Sequence, residues 1–333
     1  MKRFCSAIIA LCVVATTLLL PACTPTYPKE KLPEAVKGVF KAEYDMDVDV
    51  AVLGSTMGIY HPMEGLLDVS LGISEDAWDG ISNLILVASR VVLSTDADIQ
   101  FYCVVTQDAR LPELQVVIIK YVDDVKKSMY RNISRNESFK RTLFSINLTP
   151  QAKKERSIGK VFDKLGVEEG TRQKVMEEFF RSPPTKLSDI GYWRENFYLK
   201  SITLTEFLAA QMANRIKLDF RGDKKLSEEF DFKNAEGAYL EGADDKYFLL
   251  KFKIQDIGQP EAVAALQRQK ISELVKIVKT VVTGYKFNDF DFVILEDQLK
   301  NARLKIRKDD IVALPKNSRG IEEVVKAPEG YFQ

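Results

Sequence analysis

The chain has 333 residues, 48 Lys and Arg against 48 Asp and Glu, and a hydrophobic fraction of 46%. A neutral balance excludes the strong basic field that draws a protein onto nucleic acid, and the apolar fraction excludes a disordered chain. The length is enough for two ordinary domains with real cores.

Lys2 and Arg3 open the sequence, and no charged residue follows until Lys29. A basic start, an apolar run and a small-residue end form the pattern of a secretory signal. The run ends on Leu20-Pro21-Ala22-Cys23 rather than on Ala-x-Ala, and Thr24-Pro25-Thr26 follows. This stretch resembles the lipobox of bacterial lipoproteins. The resemblance stops at about Pro25 and implies removal of residues 1–22, acylation of the Cys23 thiol, and a protein tethered to a cell-envelope membrane. A buried methylene contributes ~0.8 kcal/mol and stable anchoring takes two acyl signals, which this modification supplies. Thr24, where an Asp would imply retention in the inner membrane, implies the outer membrane, facing the periplasm. The alternative is an uncleaved anchor, because residues 4–23 are about long enough to span a bilayer.

Residues 23–34 carry three prolines and no apolar periodicity, so a tether is expected there. Val36, Val39 and Phe40 predict a first helix. Met46, Val48, Val50 and Val52 alternate with Asp45, Asp47 and Asp49, a period of two that predicts a strand. Gly54 separates it from a second strand over Thr56–Tyr60. Ser74 precedes a long helix with Trp78, Ile81, Ile85, Ala88 and Val92 at helical spacing. Two strands follow, over residues 99–106 and 114–122, joined around Arg110-Leu111-Pro112. The second is apolar on both faces and belongs in the centre of its sheet. A charged helix starts near Asp123, and Ser134 with Glu137 forms a capping box. Thr149-Pro150 caps a helical segment, Gly166 and Gly170 bracket a turn, and Ser182-Pro183-Pro184 ends it.

The second half repeats this order. Thr203 and Glu206 open a helix with Phe207, Leu208, Met212 and Ile216. Strands are expected over residues 229–233 and 246–254. A long helix follows with Val263, Leu266, Ile271, Leu274, Val278 and Val281, and then strands over residues 290–296 and 302–308. Basic and apolar residues alternate in the last strand, which suits an edge. The hairpins end alike, on Lys120–Val125 (KYVDDV) and Arg307–Val312 (RKDDIV). The expected fold is α+β: two tandem two-layer sandwiches of helix-strand-strand-helix-strand-strand, read as a duplicated unit, over residues 35–147 and 186–318. Residues 148–185 form a helical connector and 319–333 a C-terminal tail.

Chemistry is sparse. Cys5 and Cys12 lie in the leader and Cys23 is the lipid site, so Cys103 stands alone in a β-type run, as a buried hydrophobe. One such Cys and a single His, His61, do not make a metal site, and no cofactor is implied. The acidic run from Asp45 fails as a calcium loop, with Val50 where Gly and Thr56 where Glu should stand. No Gly-rich phosphate cradle or nucleophile elbow is present. Asp123-Asp124 and Asp309-Asp310 are the carboxylate pairs to inspect, read first as helix N-terminal acids. The basic run from Lys120 to Arg141, with Tyr130 and Phe139, reads as a solvated helix face. In an envelope its anionic partners would be lipid head groups or polymers. Gly191–Lys200 is the most aromatic stretch; Tyr192, Trp193, Phe197 and Tyr198 either pack between the halves or form a binding patch. The expected function is a membrane-tethered, non-enzymatic binding or assembly module whose partner is an envelope protein, lipid or glycan. The alternative is a periplasmic hydrolase using paired carboxylates.

Overall fold

The computed structural model describes residues 26–68, 72–257 and 263–314. The lipobox Leu20–Cys23 and the tail 319–333 lie outside the described residues. The expected tether is docked from Tyr27 onward: the Tyr27 N–H donates to the Ser94 carbonyl at 3.2 Å, and a helix already starts at Leu32.

The first half runs α1 (Leu32–Tyr44), β1 (Asp49–Leu53), β2 (Thr56–Met63), α2 (Glu75–Val92), β3 (Phe101–Asp108), β4 (Leu111–Tyr121), α3 (Val122–Met129), α4 (Arg135–Lys140) and β5 (Leu143–Leu148). A connector, α5 (Pro150–Leu165) and α6 (Glu169–Phe180), leads to a small hairpin, β6 (Gly191–Trp193) and β7 (Asn196–Tyr198). The second half runs α7 (Leu204–Gly222), α8 (Lys224–Glu229), β8 (Phe230–Glu241), β9 (Lys246–Asp256), α9 (Val263–Gly284), β10 (Phe292–Asp297), β11 (Ala302–Arg307) and α10 (Lys308–Ala313).

The fold is α+β, and both sheets are wired alike. The first has the order β1-β2-β3-β4-β5 and the second β11-β10-β9-β8. In each, an antiparallel hairpin is followed by a crossover helix, a parallel neighbour and a second hairpin. β4 is internal and β11 is an edge, as their residue patterns predict. KYVDDV and RKDDIV both mark the passage from the last strand of the unit into a short helix.

The two halves share a core. On β3 and β4, Tyr102, Val104, Val116 and Ile118 face α1 and α2, whereas Phe101, Cys103, Val105, Val117 and Ile119 join the cluster built on α7 and the second sheet. α7 lies between the sheets and is buried around its circumference, at Phe207, Leu208, Gln211, Met212, Arg215 and Ile216. Phe207 meets Phe101 at 5.3 Å on one side. On the other side Gly237 of β8 lies so close to the Ala209 carbonyl that any Cβ would collide with backbone. The boundary between halves is thus one of topology, not of packing.

Polar groups lock the same junction. Arg141 binds Asp124 and Glu137, each at 2.7 Å, and Arg215 of α7 shares Glu137. Tyr285, at the end of α9, donates its hydroxyl to Asp124 and carries the Arg141 guanidinium 4.7 Å from its ring centroid. Ser134 caps α4, accepting the Glu137 N–H at 3.1 Å. The Glu137 carboxylate serves Arg141 and Arg215, so only half of the expected capping box forms.

Other elements depart from expectation for local reasons. Asp45 adopts φ +51° and closes α1, so the alternating acidic run becomes a strand only at Asp49. β8 extends past residue 233 to Glu241 because β9 pairs with it throughout, across an irregularity near Phe232. The buried stripe of α2 is rotated: Trp78 is 39% exposed while Leu84, Val87 and Val91 are fully buried. β5 and the β6–β7 hairpin were not expected.

Candidate functional site

A cavity of about 560 Å³ opens at the end of the first sheet where β2 and β3 finish. Its size is within the roughly 300–1,000 Å³ of small-ligand sites. The acidic run leading into β1, the end of β2, the β3–β4 turn, the start of α5 and the β6–β7 hairpin line it.

The hairpin is positioned first by Gln115. This buried side chain donates from Nε2 to the Tyr192 carbonyl at 2.6 Å and accepts the Tyr192 N–H at 3.1 Å, pairing with the backbone as a neighbouring strand would. Gly191 permits the approach, since a Cβ there would come within 2.7 Å of both Gln115 and Pro150. Thr149 caps α5 by accepting the Ala152 N–H at 3.2 Å, with Pro150 at the first helical position. That fixes Gln151 beside the hairpin.

The aromatic wall follows. Tyr192 stacks on Tyr60, with centroids 3.7 Å apart and planes 9° from parallel. Tyr192 donates its hydroxyl to Asp49, and Tyr60 donates to Gln107 Oε1 at 3.0 Å. Burial, and then the hydrogen bond to Asp49, push the Tyr192 phenol above its ordinary range; burial does the same to Tyr60. Both are neutral hydroxyls at physiological pH. Trp193 donates its indole N–H to Gln151 and stands between Phe180, 4.3 Å away, and the Arg194 guanidinium, 4.7 Å away.

The rim is strained. Arg194 and Glu195 form the two-residue turn with φ of +46° and +61°, a conformation that normally selects Asn-Gly. A side chain there costs roughly 1–2 kcal/mol per residue. Such strain recurs at ligand sites. It places one cation and one anion in the cavity wall, which Asp47 and Asp49 also line. Lys41 pairs with Asp47 at 3.1 Å and Lys37 with Asp49 at 3.4 Å, from the outside. The arrangement offers hydrogen-bonding carboxamides, phenols and carboxylates. Among the described residues, no Ser, Cys or His lines the cavity. His61 lies nearby but donates Nδ1 to the Asp47 carbonyl at 2.8 Å.

Of the aromatic residues expected to pack or to bind, Tyr192 and Trp193 line the cavity. Phe197 stands edge-on to Tyr192 at 5.1 Å, and Tyr198 is buried edge-on to Phe180 at 5.2 Å. The hairpin therefore packs between connector and sheet and presents one edge outward. Neither carboxylate pair lines the cavity. Asp123 is exposed and pairs with Lys126 at 3.4 Å, Asp124 is buried against Arg141, and Asp309 and Asp310 are exposed in the first turn of α10. Cys103 is free and fully buried, and burial pushes its thiol far above the range of a reactive cysteine. Among the described residues, no group of three or more His, Cys, Asp or Glu could hold a metal ion, and no helix is long and apolar enough to cross a membrane. Tyr60, Gln107, Gln115 and Gln151 escape sequence reasoning. A Gln at the head of the apolar run QVVII is the only signal any of them leaves.

Compared with protein-family models, with curated proteins and with solved structures, the chain matches none.

Proposed function

We propose that the chain is a lipid-tethered module of the bacterial cell envelope that binds a ligand in the Tyr60–Tyr192 cleft and does not transform it. The lipobox supports the tether on Cys23, in the outer membrane and facing the periplasm. The cleft supports the binding role, and one observation carries it: a strained hairpin is clamped by Gln115 to hold aromatic and polar side chains around a cavity. Lys41 and Lys37 pair two of the three lining carboxylates and Arg194 stands in the wall beside the third, Glu195, so charge alone selects no ionic ligand and the neutral polar groups decide. Carboxamides beside aromatic rings favour a hydroxyl-rich ligand, and a glycan of the cell wall fits best.

Tyr27, the described residue at the lipobox side, docks on Ser94 and Thr95, near the start of β3. The cleft lies at the other end of β3, past Gln107. Eight-residue strands separate the two ends by about 23 Å. A cleft held that far from the lipid would face the periplasmic space.

The test is a titration of the full chain with soluble cell-wall glycan fragments, followed by Trp fluorescence. Trp193 should respond, and Trp193→Phe should abolish the response. Asp49→Asn and Gln151→Ala should each weaken binding about tenfold. No response at millimolar glycan would contradict the reading. A hydrolase remains the second reading because Asp49 and Glu195 share the cleft. Release of new reducing ends, lost in Asp49→Asn, would establish it instead.

A further inference from the structure

We infer that the end of the first sheet remote from the cleft carries a second membrane contact: the α3–α4 excursion, with its exposed apolar side chains and unpaired arginines, rests on an anionic phospholipid surface. The inference depends on the tether for the position of the bilayer; its own observations are separate.

Chain geometry comes first. Between Cys23 and Tyr27 an extended chain reaches at most about 14 Å. Tyr27 is held to Ser94, and the Lys29 N–H donates to Asp96 at 2.7 Å, so the acylated residue cannot stray from the loop that follows α2. That loop leads to Gln100, whose carbonyl accepts the Val122 N–H at 2.8 Å as β4 passes into α3. The chain returns into β5 at Leu143, which pairs with Ile119 near the same end of β4. Residues 122–142 are therefore an excursion rooted at both sides on the tether end. α3 has eight residues, so its exposed tip stays within about 12 Å of the strand end.

The surface chemistry comes second. Met129 is 66% exposed, Tyr130 77% and Phe139 58%. The β1–β2 turn adds exposed Leu53 at the same end, since the Ser55 carbonyl accepts the Gln100 and Phe101 N–H groups. Arg131, at φ +58°, and Arg135 are exposed and make no ion pair among the described residues. Large apolar side chains flanked by free arginines suit a membrane interface: Tyr sits at head-group depth and Arg meets phosphate. A solvated helix face, the expectation for this basic run, would not expose Met, Tyr and Phe together. The protein would thus stand on the membrane with the cleft directed away.

The experiment uses the full-length protein recovered from bacterial membranes and reconstituted in phosphatidylglycerol–phosphatidylethanolamine vesicles. Met129→Cys carries a nitroxide label, and Leu299→Cys, on the β10–β11 turn, carries a control label. Cys103 is buried and does not react; where the N-terminal peptide proves unacylated, the labels are placed again in a chain with Cys5, Cys12 and Cys23 replaced by Ser, so that residue 129 or 299 carries the label. The label at 129 should collide with oxygen several-fold more than with a water-soluble nickel chelate, and the control should show the reverse. Arg131→Glu with Arg135→Glu should return the label at 129 to water while the protein stays on the vesicles. An aqueous label at 129 in vesicle-bound protein overturns the inference. So does a label shielded from both reagents, which reports a protein partner. The mass of the N-terminal peptide separates the two readings. An unacylated chain with residue 129 in lipid supports the surface and removes the tether. An unacylated chain with residue 129 in water removes both.

Discussion

In each sheet the third strand of the unit ends on a buried aspartate that shapes the following turn, and the two are neutralised in different ways. Asp108 of β3 accepts the Leu67 and Arg110 N–H groups, each at 2.8 Å, and its counterion is the Arg110 side chain, 62% exposed. Asp297 of β10 accepts the Leu299 N–H at 3.0 Å, and its counterion is Lys270 of the crossover helix, which is fully buried. Lys270 also holds Asp256 at 2.9 Å and the Ile254 carbonyl at 3.0 Å. The turn imposes the same demand in both sheets, since it leaves N–H groups that an Asp can satisfy. What differs is access to water, and that decides what the loss of the cation costs.

Lys270→Met should give the largest effect. It leaves Asp256 and Asp297 without the cation they share, and loss of one partner from a buried pair costs about 3–5 kcal/mol. Denaturant unfolding measures it; a loss under about 1 kcal/mol would mean that water reaches the pair. Gly237→Ala should come next. A methyl directed into the Ala209 carbonyl forces β8 off α7 at a cost of about 1–3 kcal/mol. Phe101, which meets α7 ring to ring at Phe207, should cost about 1–2 kcal/mol when replaced by Leu, less than full truncation because Leu refills most of the space.

Asp108 sharpens the contrast through pH. The Arg110 guanidinium beside it holds its carboxyl at about 2, against an ordinary value of 3.8. The folded value lies below the unfolded one, so this contribution is complete above about pH 4 and is lost as pH falls toward 2. It amounts to about 2 kcal/mol. Asp108→Asn should flatten the acid limb of a stability-against-pH curve. Asp256 is also held below its usual range: burial raises it, but hydrogen bonds from Lys300 and Lys270 outweigh that, so it adds to the same acid limb. Arg110→Ala should cost about 1–2 kcal/mol, most of what the depressed Asp108 carboxyl contributes but less than Lys270→Met, because water reaches the place of the exposed guanidinium. An Arg110 effect as large as that of Lys270 would dissolve the comparison.

Much of the framework was legible because its causes are local. Ser74, Thr149-Pro150 and Thr203 with Glu206 cap helices where their residue types predict. The alternation in β11 marks an edge, and the two-faced apolar run of β4 marks an interior strand. The role of α7 was not legible. Gln211 and Arg215 look like a polar face, yet they are buried at the junction, where Gln211 donates to the Lys140 carbonyl and Arg215 to Glu137. The β6–β7 hairpin was hidden because its turn is Arg-Glu, which carries no turn signal, and the groups that hold it, Gln115, Asp49, Tyr60 and Gln151, are distant in sequence. The cleft was hidden because Asp49, Tyr60, Gln107, Gln151 and Trp193 meet only in space. Composition showed that the residues for metal or thiol chemistry are scarce, but it could not show which polar side chains converge.

The most direct measurement is the mass of the N-terminal peptide of the chain recovered from bacterial membranes. A tethered module predicts a peptide that begins at Cys23 and carries acyl chains. A peptide that retains residues 1–22, or an unmodified cysteine at position 23, would contradict it.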